Sequence, residues 1–302
     1  MTIRRAAAAA FLCVAVLTLA ACGSSGGGSP SPTSSLPTSG GSGTPSPGPS
    51  ASPEPAASPT PGGLSVLSVY FLRGHSVGSA HRAVPATVAP ARAALLQLLA
   101  GPTAEELAAG LHTQLPPGTR LLGLTIRGGV ATVDLNGQFT AGGGQLEDRG
   151  RLAQVVYTLT QFPTVNAVRF RIDGRPVVFR GGEGEPLPPQ TRRSFEDVTP
   201  AIFVEVPTVG DHVGSPLIIS GTANTFEAQF FARVRDAAGR SLVNQSIMAT
   251  SGSGTRGTFN EAITFSTDSA RVTLELYESS AADGRPVNVV RIPLRIAAGG
   301  VQ

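Results

Sequence analysis

The chain contains no tryptophan, and only two of its 302 residues are cysteines. Both cysteines, Cys13 and Cys22, lie in the first 22 residues. If those residues include a cleaved export signal, at most one cysteine remains, so the mature chain forms no internal disulfide and no cysteine-based metal site. The absence of tryptophan, with only three tyrosines, disfavours the aromatic platforms on which sugars usually bind.

Lysine is also absent, so all 23 basic residues are arginines. Together with abundant Ala, Gly and Pro, this composition predicts a high-GC genome, and an actinobacterium is the expected source. The formal net charge is +3, and it includes Arg4 and Arg5 near the N-terminus. Without these two residues the charges nearly balance, and no basic cluster or aromatic stripe predicts nucleic-acid binding.

The first 22 residues have the organisation of an export signal. Arg4 and Arg5 precede an apolar run from Ala6 to Ala21, which is shorter than the roughly 20 residues that a membrane-spanning helix needs. The sequence LAAC, ending at Cys22, resembles the lipobox of bacterial lipoproteins. The resemblance implies a signal peptide over 1–21, lipid on Cys22, and attachment to the outer face of the cell membrane. The alternative is an ordinary secretory signal with an incidental cysteine.

Residues 22–63 contain almost only Gly, Ser, Pro, Thr and Ala, with Glu54 as the single charge. Such a segment cannot bury enough apolar surface to offset its chain entropy, so we expect a disordered linker. It would span roughly 35 Å as a coil and about 120 Å when extended. The segment therefore predicts a stalk that holds the folded part away from the membrane.

Strand and helix patterns alternate over residues 64–180. Leu64 to Leu72 alternates as a strand, Thr103 and Glu106 fit a capping box, and Gly128-Gly129 suits a two-residue hairpin turn. The remaining predicted elements are helices over 88–100 and 145–161, the hairpin strands 121–127 and 130–135, and a second hairpin of 166–172 and 176–179. These elements predict an α+β two-layer sandwich, with two helices on one face of a largely antiparallel sheet.

Residues 181–199 are rich in Pro, Gly and charge and predict an inter-domain linker. The chain then shows no helical pattern over 200–297 and has short alternating runs separated by turn residues. About seven strands are predicted, at 202–206, 217–221, 228–235, 241–250, 257–263, 270–278 and 287–296. This spacing is typical of an all-β immunoglobulin-like sandwich, although the cysteine pair of antibody domains is absent. Pro293 within the last strand predicts an edge position or a bulge there.

Several runs of the first domain match a known pattern in order: Val69 to Phe71, Ala94 to Thr103, Leu115 to Thr119, Gly129 to Leu135, Leu152 to Phe162 and Asp173-Gly174. They resemble the GerMN domain of bacterial sporulation and germination lipoproteins. The runs Ile202 to Pro207, Val213 to Gly221, Val234 to Gly239 and Val272 to Ser279 resemble the immunoglobulin-like domain that accompanies GerMN in spore germination proteins. The tandem implies a non-enzymatic scaffold in envelope complexes.

Two motifs in the chain match enzyme signatures without their usual context. Gly74 to Gly78 reads G-x-S-x-G around Ser76, but no helix follows at once and no suitably ordered acid and histidine are present, so a polar surface loop is favoured over a hydrolase. Gly252 to Gly257 reads G-x-G-x-x-G, but a strand follows where a dinucleotide site needs a helix. We interpret it as a turn.

Ionisable residues give no acid–base or metal pattern. The four histidines, at positions 75, 81, 112 and 212, lack zinc-ligand spacing and are expected to be solvated loop residues. Asp134 is expected to cap the turn that follows its strand. Glu147 and Asp148 suit the first turn of the long helix, where negative charge complements the helix dipole.

Arginine marks a candidate interaction face. Arg169 and Arg171 alternate along one predicted strand, so they point to the same side, and Arg127 is positioned to join them from a neighbouring strand. The open face of a two-layer sandwich is a docking surface in many proteins, and arginine is enriched at interfaces. The alternative is that these three side chains are simply solvated.

The function predicted from the sequence is that of a membrane-anchored extracytoplasmic lipoprotein, acting as a non-enzymatic binding or assembly module. We expect no cofactor and no metal. The predicted partners are the membrane, through lipid on Cys22, and envelope proteins or peptidoglycan. A lipoprotein that binds a cell-wall glycan or a small ligand is the alternative, and a hydrolase using Ser76 is a third hypothesis.

Overall fold

The computed structural model describes residues 62–178 and 185–297. The predicted signal peptide 1–21, the lipidation site Cys22, nearly all of the linker 22–63 and the end of the second hairpin at Phe179 lie outside these residues. Within the described ranges, no helix is both long enough and apolar enough to cross a membrane.

The first domain alternates strands and helices. Its elements are β1 (Leu64–Arg73), β2 (Ser76–Pro85), α1 (Pro90–Ala100), α2 (Ala104–Ala108), β3 (Leu111–His112), β4 (Leu121–Arg127), β5 (Val130–Leu135), α3 (Gln145–Leu159), β6 (Ala167–Ile172) and β7 (Arg175–Pro176). The predicted capping box is present at α2, since the Thr103 Oγ1 accepts from the Glu106 N–H and the Glu106 Oε2 accepts from the Thr103 N–H. The α+β class is confirmed.

The strands of this domain form two sheets, where the sequence predicted one largely antiparallel sheet. One sheet has the order β2-β1-β3 and the other β4-β5-β6-β7. The pair β5 and β6 is parallel, because α3 connects them as a crossover, and parallel neighbours need a connection of that length. The predicted Gly128-Gly129 hairpin joins β4 to β5, with both glycines at positive φ.

The segment around Ser76 is a strand, which corrects the prediction of a surface loop. Gly74, at φ +60°, turns the chain so that Arg73 pairs with Ser76, and the ladder continues to the Leu64–Pro85 pair. The segment carries few large apolar residues, so its own pattern indicates a strand only weakly. Pairing along the whole length of β1 stabilises it in this conformation.

From Gly150 onward helix α3 is buried on nearly all sides, whereas the sequence predicted only that it lies on one face of a sheet. Every residue from Gly150 to Leu159 is buried, because the helix also covers the free edge of β1. The Thr158 Oγ1 accepts from the Tyr70 N–H at 3.2 Å, and the Gln161 Oε1 accepts from the Ser68 N–H at 2.8 Å. These side chains replace the missing neighbouring strand and block further pairing at this edge.

The second domain is an all-β sandwich, as predicted. Its strands are β8 (Ile202–Val206), β9 (His212–Val213), β10 (Leu217–Ala223), β11 (Gln229–Asp236), β12 (Ser241–Met248), β13 (Gly257–Ile263), β14 (Arg271–Ser279) and β15 (Pro286–Ile296). They form the sheets β13-β10-β8 and β12-β11-β14-β15-β9. Pro293 pairs with Thr273 of β14. On its other side the Pro293 carbonyl accepts from the Gly210 N–H, just before the two-residue strand β9, so Pro293 lies near an edge of the sheet.

The segment before β8, predicted as a linker, is part of the core. Residues Arg192–Val198 form a 3-10 helix, and Phe195 and Val198 are buried against the first domain. Phe203 of β8 belongs to the same hydrophobic cluster. The two domains therefore share a core, and the described residues all fall within one compact unit.

Replacing Thr158 with valine tests how α3 holds the edge of β1. The change keeps the shape but leaves the buried Tyr70 N–H without an acceptor, so we expect a loss of about 1–3 kcal/mol in the free energy of unfolding. Urea denaturation measures it. The control is Thr125→Val on the exposed face of β4, where we expect a change within about 0.5 kcal/mol. Equal effects of the two changes would contradict this account of the β1 edge.

Candidate functional site

A three-residue polar contact joins the two domains at their boundary. The Tyr70 hydroxyl donates to the Glu205 Oε1 at 2.7 Å, and the Arg192 Nη1 donates to the same oxygen at 2.8 Å. The Arg192 Nη2 also donates to the Tyr70 hydroxyl at 3.2 Å. The contact thus links β1, the 3-10 helix and β8, three elements far apart in sequence.

Aromatic rings pack against this contact on its inner side, while the Arg192 and Glu205 side chains stay partly exposed. The Tyr157 ring lies 5.6 Å from that of Tyr70 and 5.4 Å from that of Phe203, and the Arg192 guanidinium lies over both tyrosine rings. Burial, reinforced by the nearby Glu205 carboxylate, raises the pKa of Tyr70 well above its ordinary range. Burial also raises the pKa of Tyr157, whose hydroxyl hydrogen-bonds with that of Thr199.

Strand β2 makes a second set of contacts with the other domain. The Ser79 hydroxyl donates to the Val204 carbonyl at 2.7 Å, and the His81 N–H donates to the Thr208 hydroxyl at 3.1 Å. The His81 Nδ1 lies 2.9 Å from the Asp211 Oδ2. Although burial opposes it, the pKa of Asp211 is lowered by its hydrogen bonds with His81 and the Thr208 N–H. His81 is thus a half-buried strand residue, not the solvated loop residue that the sequence predicted.

A cleft opens beside these contacts, between β2, β8 and β15. Its volume is about 370 Å³. Polar groups of Ser76, Ser79, Thr208 and Asn288 line it together with apolar side chains, and Arg73 lies at its side. The cleft was not predicted, because its walls come from segments more than a hundred residues apart.

The three arginines predicted as an interaction face lie on one face of the second sheet of the first domain. Arg127 pairs with Val130, and Arg169 and Arg171 lie opposite Thr132 and Asp134. Residues directly opposite one another share a face, as do alternate residues along a strand. All three arginines are exposed, and none forms a salt bridge within the described residues. Asp134 shares the face with them, so these four residues give it a net positive charge.

The enzyme-like motifs do not form catalytic sites in this structure. Ser76 begins β2 in line with the hairpin, without the sharp strand-to-helix turn of a nucleophile elbow. The glycine motif at 252–257 leads into β13, as predicted, and no helix N-terminus is presented there. The His81–Asp211 pair resembles a base with its orienting acid, but the described residues place no serine or cysteine in hydrogen-bond contact with the imidazole.

The acidic residues discussed in the sequence analysis cap turns or pair with neighbouring charges. Within the described ranges, no three His, Cys, Asp or Glu side chains gather as a metal site would require. Asp134 accepts from the Gly174 N–H at 3.0 Å, so it caps the turn between β6 and β7, not the turn after its own strand as predicted. Glu147 accepts from the Gly144 N–H at the start of α3, and Asp148 pairs with Arg151.

Family models match both domains. Residues 68–178 match Germane, described as sporulation and spore germination, and residues 201–285 match Gmad2, described as the immunoglobulin-like domain of bacterial spore germination. The chain is a GerMN domain followed by a germination-type immunoglobulin-like domain. The resemblance seen in the sequence is thereby confirmed.

Solved structures with similarity to the chain include domains of the sporulation protein GerM from Bacillus subtilis. The first GerMN domain of GerM is 25% identical, with a TM-score of 0.37, over 43% of this chain and 98% of that one. Its tandem GerMN domains are 18% identical, with a TM-score of 0.39, over 67% of this chain and 62% of that one. A comparison with curated proteins gives no match.

The two family descriptions place the chain among sporulation and germination proteins, and neither names an enzymatic activity. Domains of these types suggest a non-catalytic role associated with the cell envelope. The GerMN domain carries the arginine face, and both domains line the cleft.

The Tyr70→Phe variant tests the polar contact at the domain boundary. It removes one of the donors to Glu205 at a partly buried contact, and we expect a loss of about 1–2 kcal/mol in the free energy of unfolding. Tyr277→Phe is the matched control, because the Tyr277 hydroxyl bonds Asn244 within the immunoglobulin-like domain alone. Urea unfolding measures both. A loss in Tyr70→Phe no larger than in the control would contradict the role of this contact.

Asp211 should make the domain boundary sensitive to acid. Its pKa is lower in the folded chain than the value of about 3.9 expected in the unfolded chain. Its contribution to stability is therefore present above about pH 5 and is lost as the pH falls through the folded pKa. In Asp211→Asn, we expect the melting temperature to fall less steeply between about pH 5 and 3. Asp283→Asn, at an exposed turn, is the control and should retain the wild-type pH profile, and parallel profiles for all three chains would refute the prediction.

Proposed function

We propose that the chain is an extracytoplasmic lipoprotein, anchored through lipid on Cys22, that acts as a non-enzymatic assembly module in the cell envelope. The observation that carries the proposal is the shared core, which joins the two domains into one body. Within the described residues, this body has no group of side chains arranged for catalysis. The lipobox-like LAAC sequence supports the anchor. The Gly/Ser/Pro-rich segment after it would set a distance between the folded domains and the membrane surface.

The arginine face, defined as Arg127, Arg169 and Arg171, is the surface that we propose for docking to an envelope protein. Its side chains are exposed and lack carboxylate partners within the described residues, so an acidic partner surface would complement them. Arginine presents a planar fork of donors that pairs well with carboxylates. The sheet beneath the arginines is held by the buried residues Val168 and Phe170, which gives the face a fixed geometry.

Binding of a cell-wall glycan is the alternative function, and the buried tyrosines weigh against it. Tyr70, Tyr157 and Tyr277 are only 1%, 3% and 6% exposed, and the chain has no tryptophan. None of these rings is available as a stacking platform for a sugar. The proposal therefore takes an acidic protein surface as the partner.

The anchor is tested by Cys22→Ser. We expect wild-type protein to enter the detergent phase on partitioning and to be labelled by a fatty-acid analogue, because two or three acyl chains hold a protein firmly at a membrane. The variant should lose the label and leave the membrane fraction, with the melting temperature of its folded part unchanged. The proposed lipid anchor would be refuted by a wild-type chain that takes up no label. A Cys22→Ser chain that keeps full function would refute a functional need for the anchor.

The arginine face is tested by the triple change of Arg127, Arg169 and Arg171 to glutamine. Crosslinking in the native envelope, followed by mass spectrometry, should show partner recovery reduced roughly tenfold, because several complementary surface charges act together. The control replaces three exposed arginines elsewhere, Arg92, Arg120 and Arg271, for the same change in net charge. Equal losses in both variants would show a general charge effect and refute docking at this face.

A further inference from the structure

The cleft between the two domains lies where two strands separate. Strands β2 and β8 are held together by the Ser79–Val204 hydrogen bond, and the His81–Thr208 bond lies further along. In the other direction, toward Ser76 on β2 and Pro200 before β8, the cleft of about 370 Å³ opens between them. This volume lies at the small end of the range of about 300–1,000 Å³ that is typical of ligand sites.

Both walls of the cleft are edges of sheets. Strand β2 ends the order β2-β1-β3, and β8 ends the order β13-β10-β8. On β2, the His81 N–H points away from β1 to reach Thr208, so by alternation the backbone groups of Ser79 and Val77 also point away from β1. Their N–H and C=O groups are directed at the cleft.

The same argument applies to β8. The Ala201 carbonyl accepts from the Asn224 N–H, on the side of β10, and the Val204 carbonyl accepts from Ser79 on the opposite side. The backbone groups of Ile202 and Val204 are therefore directed away from β10 and toward the cleft. Sheet edges of this kind bind extended peptides by strand addition.

Arg73 adds a positive charge without a counter-ion to this site. It is half-buried, its Nη1 donates to the Arg291 carbonyl at 3.1 Å, and its buried Nε has no hydrogen-bond partner. Burial lowers the pKa of the guanidinium. Four other sheltered arginines of the chain each contact a carboxylate, namely Arg82, Arg151, Arg192 and Arg233. Within the described residues Arg73 has no carboxylate partner, although a desolvated charge is costly without one.

We propose that this cleft binds a short extended peptide through a free carboxylate on Arg73 and main-chain hydrogen bonds to the edges of β2 and β8. The cleft has room for about two or three residues. Val77, Val204 and Ile292 in its lining favour small apolar side chains on the peptide. The occupant that we propose is a short soluble peptide with a free C-terminus. This proposal does not depend on the lipid anchor or on the arginine face.

The proposal is tested by calorimetry on the mature full-length protein in detergent. The probes are N-acetyl-Ala-Val-Ala with a free C-terminal carboxylate, the same peptide as its amide, and acetate. We expect saturable one-to-one binding of the free acid, and binding of the amide weaker by roughly tenfold or more, because a charge-assisted hydrogen bond is lost. No saturable binding of the free acid, equal binding of the amide, or equally tight binding of acetate would each overturn the proposal.

Variants of Arg73 separate a binding role from a structural one. Arg73→Gln should weaken binding of the free acid by roughly tenfold or more, and Arg73→Lys should weaken it less, since lysine keeps the charge without the fork. Arg92→Gln, at an exposed position outside both proposed binding surfaces, is the control and should bind as the wild type does. Because Arg73 lacks a carboxylate partner, we expect the melting temperature of Arg73→Gln to be unchanged or higher. A lower melting temperature of Arg73→Gln would assign Arg73 a structural role. Unchanged binding of the free acid by this variant would exclude Arg73 from the site. Either result would overturn the proposal.

Discussion

The contact of Tyr70, Arg192 and Glu205 fixes the relation of the two domains. The Glu205 carboxylate accepts from both the Arg192 guanidinium and the Tyr70 hydroxyl, and it can do so only in a narrow geometry because hydrogen bonds are directional. Strand β1, the 3-10 helix and β8 must therefore hold their positions together. The aromatic rings of Tyr157 and Phe203 pack against the contact, and their close packing makes that requirement stricter. The two domains consequently behave as one body where a hinge would otherwise be expected.

Local elements of the fold were predictable because their causes are local. Thr103 and Glu106 satisfy the first N–H groups of α2 within four residues, and Gly128-Gly129 provides the turn between β4 and β5 without help from other segments. Strand β2 was missed because its stability comes from pairing with β1 and from contacts with the other domain, which a window of sequence does not show. The segment 192–198 was missed for a related reason. Its charged residues indicate a linker, but in the structure Arg192 pairs with Glu205 and Glu196 pairs with Arg256.

The two candidate surfaces differ in the same way: one follows from local sequence patterns and the other from the packing of the domains. Alternation along β6, together with the hairpin register of β4 and β5, is enough to place Arg127, Arg169 and Arg171 on one face. The cleft, by contrast, needs Arg73 from the end of β1, backbone edges from β2 and β8, and a third wall from β15. Only the packing of one domain on the other brings these groups together, and no spacing in the sequence encodes it.

The rigid boundary has a consequence for binding at the cleft. A site whose walls belong to two independently moving domains would have to be ordered by its ligand, and that ordering would reduce the affinity. Here the Ser79–Val204 bond joins two walls of the cleft, and the Tyr70–Arg192–Glu205 contact joins the same elements nearby, so a ligand does not have to bring the walls together. Within the described residues the charge of Arg73 is met by the Arg291 carbonyl but by no carboxylate, so part of the cost of burying it is not offset. A group that is costly in the folded chain, and that lies beside an ordered cavity, is typical of a site kept for binding.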